Sequence, residues 1–181
     1  EGNDLNAKQL EDEDEARPAE MLEDPEWKPP KFGAVRLVVE RARQLKDVSS
    51  LGRMDPFAEL VYGSHSNAEV RKTTRVRKHG GTNPKWRDQF TIPIGKAPPV
   101  LEVNVYDRRG SGEDSFVGRA YVDLVPALKC EGERHGEWYQ LHEKHGSAKF
   151  YGEIFLKLKY EAHAANAGYR KRIVQCCQYL W

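Results

Sequence analysis

Two aspartates, each standing where an apolar run meets a polar one, are the residues of this chain best suited to holding a cation. Asp55 lies in Asp55-Pro56-Phe57, between the polar stretch from Lys46 to Met54 and the apolar run from Ala58 to Tyr62. Asp107 follows Tyr106 at the end of another apolar run and opens a polar segment that closes at Phe116-Val117-Gly118. Carboxylates contributed by separate loops are what a hard, oxygen-seeking divalent ion requires. The same Asp55-Pro56-Phe57 also reads as a loop-to-strand turn, in which Pro56 fixes φ and Asp55 caps the loop backbone.

The second concentration of chemistry is cationic. Arg71, Lys72, Arg75, Arg77 and Lys78, followed by Lys85 and Arg87, form the densest basic stretch of the chain. A period of two puts Arg71, Arg75 and Arg77 on one strand face, with Val70 and Val76 on the other. Such a face suits an anionic phospholipid surface or a phosphoinositide headgroup, an acidic protein partner, or plain solvent. Nucleic acid is not expected, because no recognition helix is evident and the run lacks interleaved aromatics. An enzyme is not expected either. His142 and His145 lack the glutamate spacing of a zinc-protease helix, Cys130 has no assignable base, and no phosphate-cradling glycine loop or Gly-x-Ser-x-Gly elbow is present.

Composition narrows the class. A chain of 181 residues with 39% hydrophobic and 31% charged residues suits one soluble globular domain with tails. Its apolar runs are strand-sized, far short of the roughly 20 residues that span a bilayer. Three cysteines, two of them adjacent (Cys176, Cys177), do not make a disulfide framework and favour a reducing compartment. The expected location is intracellular, on a membrane periphery or within an assembly. Charge is unevenly spread: residues 1–31 carry −7 and the remainder +8. An acidic arm on a basic domain points to an anionic partner for the domain, or to the arm as a competitor for that surface.

The elements that must position these residues read as all-β. Strand-like runs occur at Ala34–Val39, Ala58–Tyr62, Lys72–Val76, Gln89–Ile94, Leu101–Tyr106, Phe116–Val122, Trp138–Leu141 and Gly152–Tyr160, separated by Gly- and Pro-rich punctuation. Ile154, Leu156 and Leu158 alternate with Phe155, Lys157 and Lys159, as in a strand buried on one side. The expected architecture is an antiparallel sandwich of roughly eight strands over residues 32–160. Residues 1–31, acidic and proline-bearing, are expected to be an extended or disordered arm. Residues 161–181 are expected to form a helical tail, from the spacing of Tyr169, Ile173, Cys176 and Leu180. Both termini are candidate docking segments for protein partners. Arg170-Lys171-Arg172 beside the paired cysteines also suits an S-acylated or interfacial anchor, against the plainer reading of a helix that packs on a neighbour.

From Phe32 to Tyr160, the order of first strand, polar loop, Asp55-Pro56-Phe57, Thr82-Asn83-Pro84-Lys85-Trp86 and Tyr106-Asp107 resembles the C2 domain family of calcium- and phospholipid-binding β-sandwiches. With no strand signal before Ala34, the resemblance is to the type II connectivity. It implies five cation-ligand positions, falling here on Ser49, Asp55, Asp107, Arg109 and Ser115. Only Asp55 and Asp107 keep the carboxylate, while Asp47 and Asp114 sit nearby in sequence. The resemblance therefore implies a degenerate calcium site with no cofactor and no metal, in which Arg109 pairs with Asp55 or Asp107 in place of the ion. It also implies a non-catalytic module whose basic strands meet anionic lipid. The alternative is a structural accessory subunit that uses the sandwich as a scaffold and the termini as straps.

Overall fold

The computed structural model describes residues 33–49, 53–64, 69–110, 112–143 and 148–162. The expected arm at 1–31 and the expected helix beyond residue 162 lie outside the described residues. Eight strands form in chain order: β1 (Gly33–Arg43), β2 (Pro56–Tyr62), β3 (Val70–Thr73), β4 (Lys85–Ile94), β5 (Val100–Asp107), β6 (Ser115–Asp123), β7 (His135–His142) and β8 (Phe150–Ala162). Among the described residues one short helix, α1 (Val125–Lys129), links β6 to β7.

The strands pair antiparallel in the order β3-β2-β5-β6-β7-β8-β1-β4. Between β6 and β7 the ladder has a single bridge, Arg119 opposite His142. The sheet therefore divides into two four-stranded halves, β3-β2-β5-β6 and β7-β8-β1-β4, which pack as a sandwich. The period of two explains the packing. Val35, Leu37 and Val39 of β1, Leu60 of β2, Leu101, Val103 and Val105 of β5, and Ile154, Leu156 and Leu158 of β8 all turn into one buried cluster. Each such side chain contributes about 1.5–3 kcal/mol by leaving water.

Among the differences from the sequence expectation, four stand out. β3 ends at Thr73 rather than reaching Val76. The buried Thr74 hydroxyl accepts the Ala58 N–H at 2.9 Å, taking a place that a backbone carbonyl would fill in a continuing ladder. Val70, half-buried, packs against the core, and Val76 is half-buried too. β8 runs two residues into the segment expected to be tail, because Gly33 and Ala34 offer partners to Ala162 and Glu161. β4 starts four residues early, and α1 was absent from the sequence reading. Five residues are too few to show a helical period, although Pro126 suits a first turn.

Trp86 explains how β4 is held. Its buried indole donates from Nε1 to the Pro56 carbonyl at 3.1 Å, fixing β4 against the start of β2. Just before it, the Asn83 side chain accepts the Gln44 N–H at 3.2 Å and the Pro84 carbonyl accepts the Ala42 N–H at 3.0 Å. The loops that carry Asp47, Asp55 and Asp107 are thereby gathered at one end of the sandwich.

Candidate anion-binding surface and loop end

Strand pairing brings the two aspartates together. Pro56 lies opposite Asp107 in the β2–β5 ladder, and the Asp55 N–H donates to Asp107 Oδ1 at 2.6 Å. Asp55 Oδ1 in turn accepts the His79 N–H at 2.6 Å. Asp107 is almost fully buried. Ser115 lies across the β5–β6 ladder from Asp107. Ser49 is engaged with Asp47, whose Oδ1 accepts both its N–H at 2.9 Å and its hydroxyl at 2.8 Å. That double hydrogen bond holds the Asp47 carboxyl below its ordinary pKa.

The expected pairing of Arg109 with Asp55 or Asp107 does not form. Its guanidinium donates to the Val48 carbonyl at 3.4 Å, and its N–H donates to Asp114 at 3.2 Å. Arg108 takes the remaining interest of Asp114, with an N–O distance of 3.1 Å, and its guanidinium lies 4.6 Å from the centre of the Phe57 ring. Arg108 and Arg109 thus close on Asp114 and the first loop, leaving Asp55 and Asp107 to backbone donors. A calcium ion seeks six to eight oxygens. Two carboxylates that each have an oxygen on an N–H, two hydroxyls and a nearby guanidinium are a poor fit to that demand.

The basic run is present but largely committed. Arg71 bridges Glu59 at 3.0 Å and Glu69 at 2.8 Å, and the hydrogen bonds it donates to those carboxylates raise its pKa further. Arg75 turns away from Arg71 to Asp88 on β4, with Nε–Oδ1 at 2.9 Å. Arg77 donates through Nε to the Lys85 carbonyl. Because β3 stops at Thr73, the period of two does not carry through to Arg75 and Arg77, and the three arginines do not form the free common face that alternation implies. Lys72, Lys78 and Lys85 are exposed and make no ion pair among the described residues.

Arg87 leads to a site that sequence reasoning missed. Its φ of 59° lies in the left-handed region, opposite a bulge of β1 between Val39 and Arg41. A non-glycine residue rarely accepts that conformation, and such outliers concentrate at functional positions. The side chain lines a groove of about 370 Å³ on the outer face of the β8-β1-β4 sheet, together with Arg36, Arg134, Lys157, Lys159 and Glu40. Register explains the clustering: Arg36 stands beside Lys159, and Val38 stands beside Lys157. Five cations thus surround one lining carboxylate. Glu40 meets Lys157 at 2.9 Å and Arg87 at 3.4 Å. The hydrogen bond from Lys157, aided by nearby arginines against the opposing effect of burial, holds its carboxyl below the ordinary range. Glu161 at the rim takes Arg36 at 2.8 Å and Lys159 at 3.1 Å. Counting both glutamates, a net charge of about +3 remains over one shallow cavity, and Arg134 makes no ion pair among the described residues. Exposed pairs of this kind are individually weak, so an incoming anion can exchange with them.

The family model described as the C2 domain matches residues 33–141. A C2 and GRAM domain-containing protein of Arabidopsis thaliana is 34% identical over 122 residues, covering 66% of this chain and 11% of that protein. Rab11 family-interacting protein 1 of Mus musculus is 31% identical over 136 residues, covering 70% of this chain and 20% of its own length. The chain therefore spans a fifth or less of these two relatives. Among solved structures, a C2 domain of plant Extended Synaptotagmin 1 superposes with a TM-score of 0.63 at 25% identity, covering 76% of this chain and 98% of that domain.

Proposed function

The chain belongs to the C2 domain family, and on that premise we propose that it is a non-catalytic module that docks to anionic membrane without needing calcium. The observation that carries this reading is the groove on the β8-β1-β4 face, where Arg36, Arg87, Arg134, Lys157 and Lys159 converge. A phosphoinositide headgroup presents several phosphates in a compact volume, and a concave site with excess positive charge favours it over a singly charged lipid. Lys72, Lys78 and Lys85 add diffuse attraction on the neighbouring edge. Each base near an anionic surface is worth about 1 kcal/mol, so a handful gives reversible, salt-sensitive attachment. The location that follows is a membrane periphery. Among the described residues no helix is long and apolar enough to cross a bilayer.

The test is co-sedimentation with vesicles of neutral lipid, of phosphatidylserine mixtures, and of the same mixtures with added phosphoinositide, each with calcium and with chelator. Binding that rises with anionic content, falls with salt and ignores the chelator supports the reading. Indifference to lipid charge overturns it.

A second reading, an accessory subunit held by its termini, draws support from the −7 charge of residues 1–31 and from the name of one relative as a Rab11 family-interacting protein. Removal of residues 1–31 separates the two. Loss of a co-purifying protein supports a docking strap, whereas increased lipid binding at low salt supports an arm that competes for the basic surface.

A further inference from the structure

At the end of the sandwich remote from Asp55 and Asp107, α1 hands over to β7 through a short turn that gathers three ligand-type side chains. The ligand atoms of Cys130, Glu133 and His135 all lie within 4.8 Å of one another, and among the described residues no other group of three does so. The turn is fixed at several points. Gly132, at a φ of 83°, donates its N–H to the Tyr160 carbonyl at 3.0 Å, and the Glu133 N–H closes onto the Cys130 carbonyl at 3.2 Å. His135 opens β7 opposite Leu158 of β8.

An independent observation singles out the same place. His135 Nε2 is withdrawn from solvent and has no hydrogen-bond partner, alone among the buried side-chain nitrogens and oxygens of the described residues. Buried polar atoms almost always find a partner, so an unpaired imidazole nitrogen calls for an explanation. The same histidine belongs to the one such cluster among the described residues, which also offers a thiol and a carboxyl.

We propose that Cys130, Glu133 and His135 bind a zinc ion. One sulfur, one nitrogen and one oxygen donor suit this borderline ion, whereas calcium and magnesium take oxygen ligands. Donors of a tetrahedral zinc site lie roughly 3.3–3.8 Å apart, given bond lengths near 2.0–2.3 Å. The present spacing reaches that by small side-chain adjustments. On binding, the Cys130 thiol releases its proton to solvent, three bonds form from sulfur, nitrogen and oxygen to zinc, and the two anionic ligands balance the charge of the ion. Three protein ligands leave a fourth position for water. The ion staples the α1–β7 turn beside the end of β8, at the opposite end from the aspartate loops.

The test uses the full chain carrying Cys176→Ser and Cys177→Ser, so that Cys130 is its one thiol. Cobalt(II), a spectroscopic surrogate for zinc, is titrated into metal-free protein. The expected result is one equivalent bound in four-coordinate geometry, with a thiolate-to-cobalt charge-transfer band that zinc displaces. Adding Cys130→Ser abolishes the band, and Glu133→Gln, at an exposed position, weakens zinc at least tenfold while the metal-free protein melts unchanged. Absence of the charge-transfer band at millimolar cobalt, or zinc affinity unchanged in both variants, overturns the proposal.

Discussion

Arg75 and Asp88 join the two edge strands of the sandwich across its open side. Arg75 follows β3 and Asp88 lies on β4, the two ends of the strand order, which share no ladder. The Arg75 N–H reaches Asp88 Oδ2 at 2.7 Å, and its guanidinium reaches Oδ1 at 2.9 Å. Asp88 is 9% exposed, while the Arg75 side chain is 75% exposed. The residue that a linear reading assigns to ligand binding thus also acts as a structural clasp.

The two partners should differ in cost. Asp88→Ala strands a backbone N–H, while the exposed guanidinium turns to water, and should destabilise by about 1–3 kcal/mol. Arg75→Ala leaves the backbone hydrogen bond intact and removes only an exposed partner, so it should cost less. Urea unfolding of both variants checks the order. Burial raises the Asp88 pKa, but the hydrogen bonds and charge of Arg75 outweigh it and the net shift is downward. A depressed carboxyl contributes stability above its unfolded pKa of about 4, and that contribution disappears as pH falls through the lower folded value. Unfolding midpoints measured from pH 6 downward should therefore converge for parent and Arg75→Ala at the acid end.

Loss of charge separates the groove from the basic run. Lys157→Gln with Lys159→Gln should lower vesicle binding several-fold with little change in melting, since a neutral amide sets no like charge against Glu40 or Glu161. Arg71→Glu with Arg75→Glu should instead lower the melting temperature, because new carboxylates then face Glu59, Glu69 and Asp88. Vesicle co-sedimentation and thermal melts on the same samples distinguish the outcomes. If the groove variant binds like the parent, the membrane surface lies elsewhere.

Calcium should neither bind tightly nor raise the melting temperature, as titration calorimetry will read. The converse experiment restores carboxylates at the three departed positions. Ser49→Asp with Arg109→Asp and Ser115→Asp removes the guanidinium from the Val48 carbonyl and surrounds Asp55 and Asp107 with oxygen donors. Measurable calcium binding is expected of that variant alone.

Arg87→Gly probes a trade between comfort and binding. Glycine accepts a φ of 59° freely, a gain of order 1 kcal/mol, while the greater freedom of the unfolded chain takes back a similar amount. Stability should stay within about 1 kcal/mol of the parent by urea unfolding. Affinity for phosphoinositide vesicles should fall several-fold, because a groove cation is gone.

The sandwich was readable from sequence because its signal is local. The inward residues Ile154, Leu156 and Leu158 are two positions apart, and a period of two survives without knowledge of partners. The aspartate pair was readable for a related reason, since each sits at a strand end that turn chemistry marks. The groove was hidden because Arg36 and Lys159 become neighbours only through the β1–β8 ladder. The neutralisation of Arg71 and Arg75 was hidden too, as Glu59 and Asp88 lie on other strands. Thr74 shows the limit of alternation itself, for one hydroxyl competing with the backbone ends a strand that β-branched composition would extend.

The lone Arg119–His142 bridge has a mechanical consequence. A molecule held to a membrane by its β8-β1-β4 face and pulled through the other half carries the load across the joint between halves. Among the described residues, that joint has one ladder bridge on one side and, on the other, the Arg75–Asp88 clasp with the Arg77–Lys85 and Trp86–Pro56 hydrogen bonds, and apolar packing between them. Tension applied this way peels the halves apart, whereas tension along the strands shears whole ladders at once. The direction of pull, more than its size, would decide how long the domain holds.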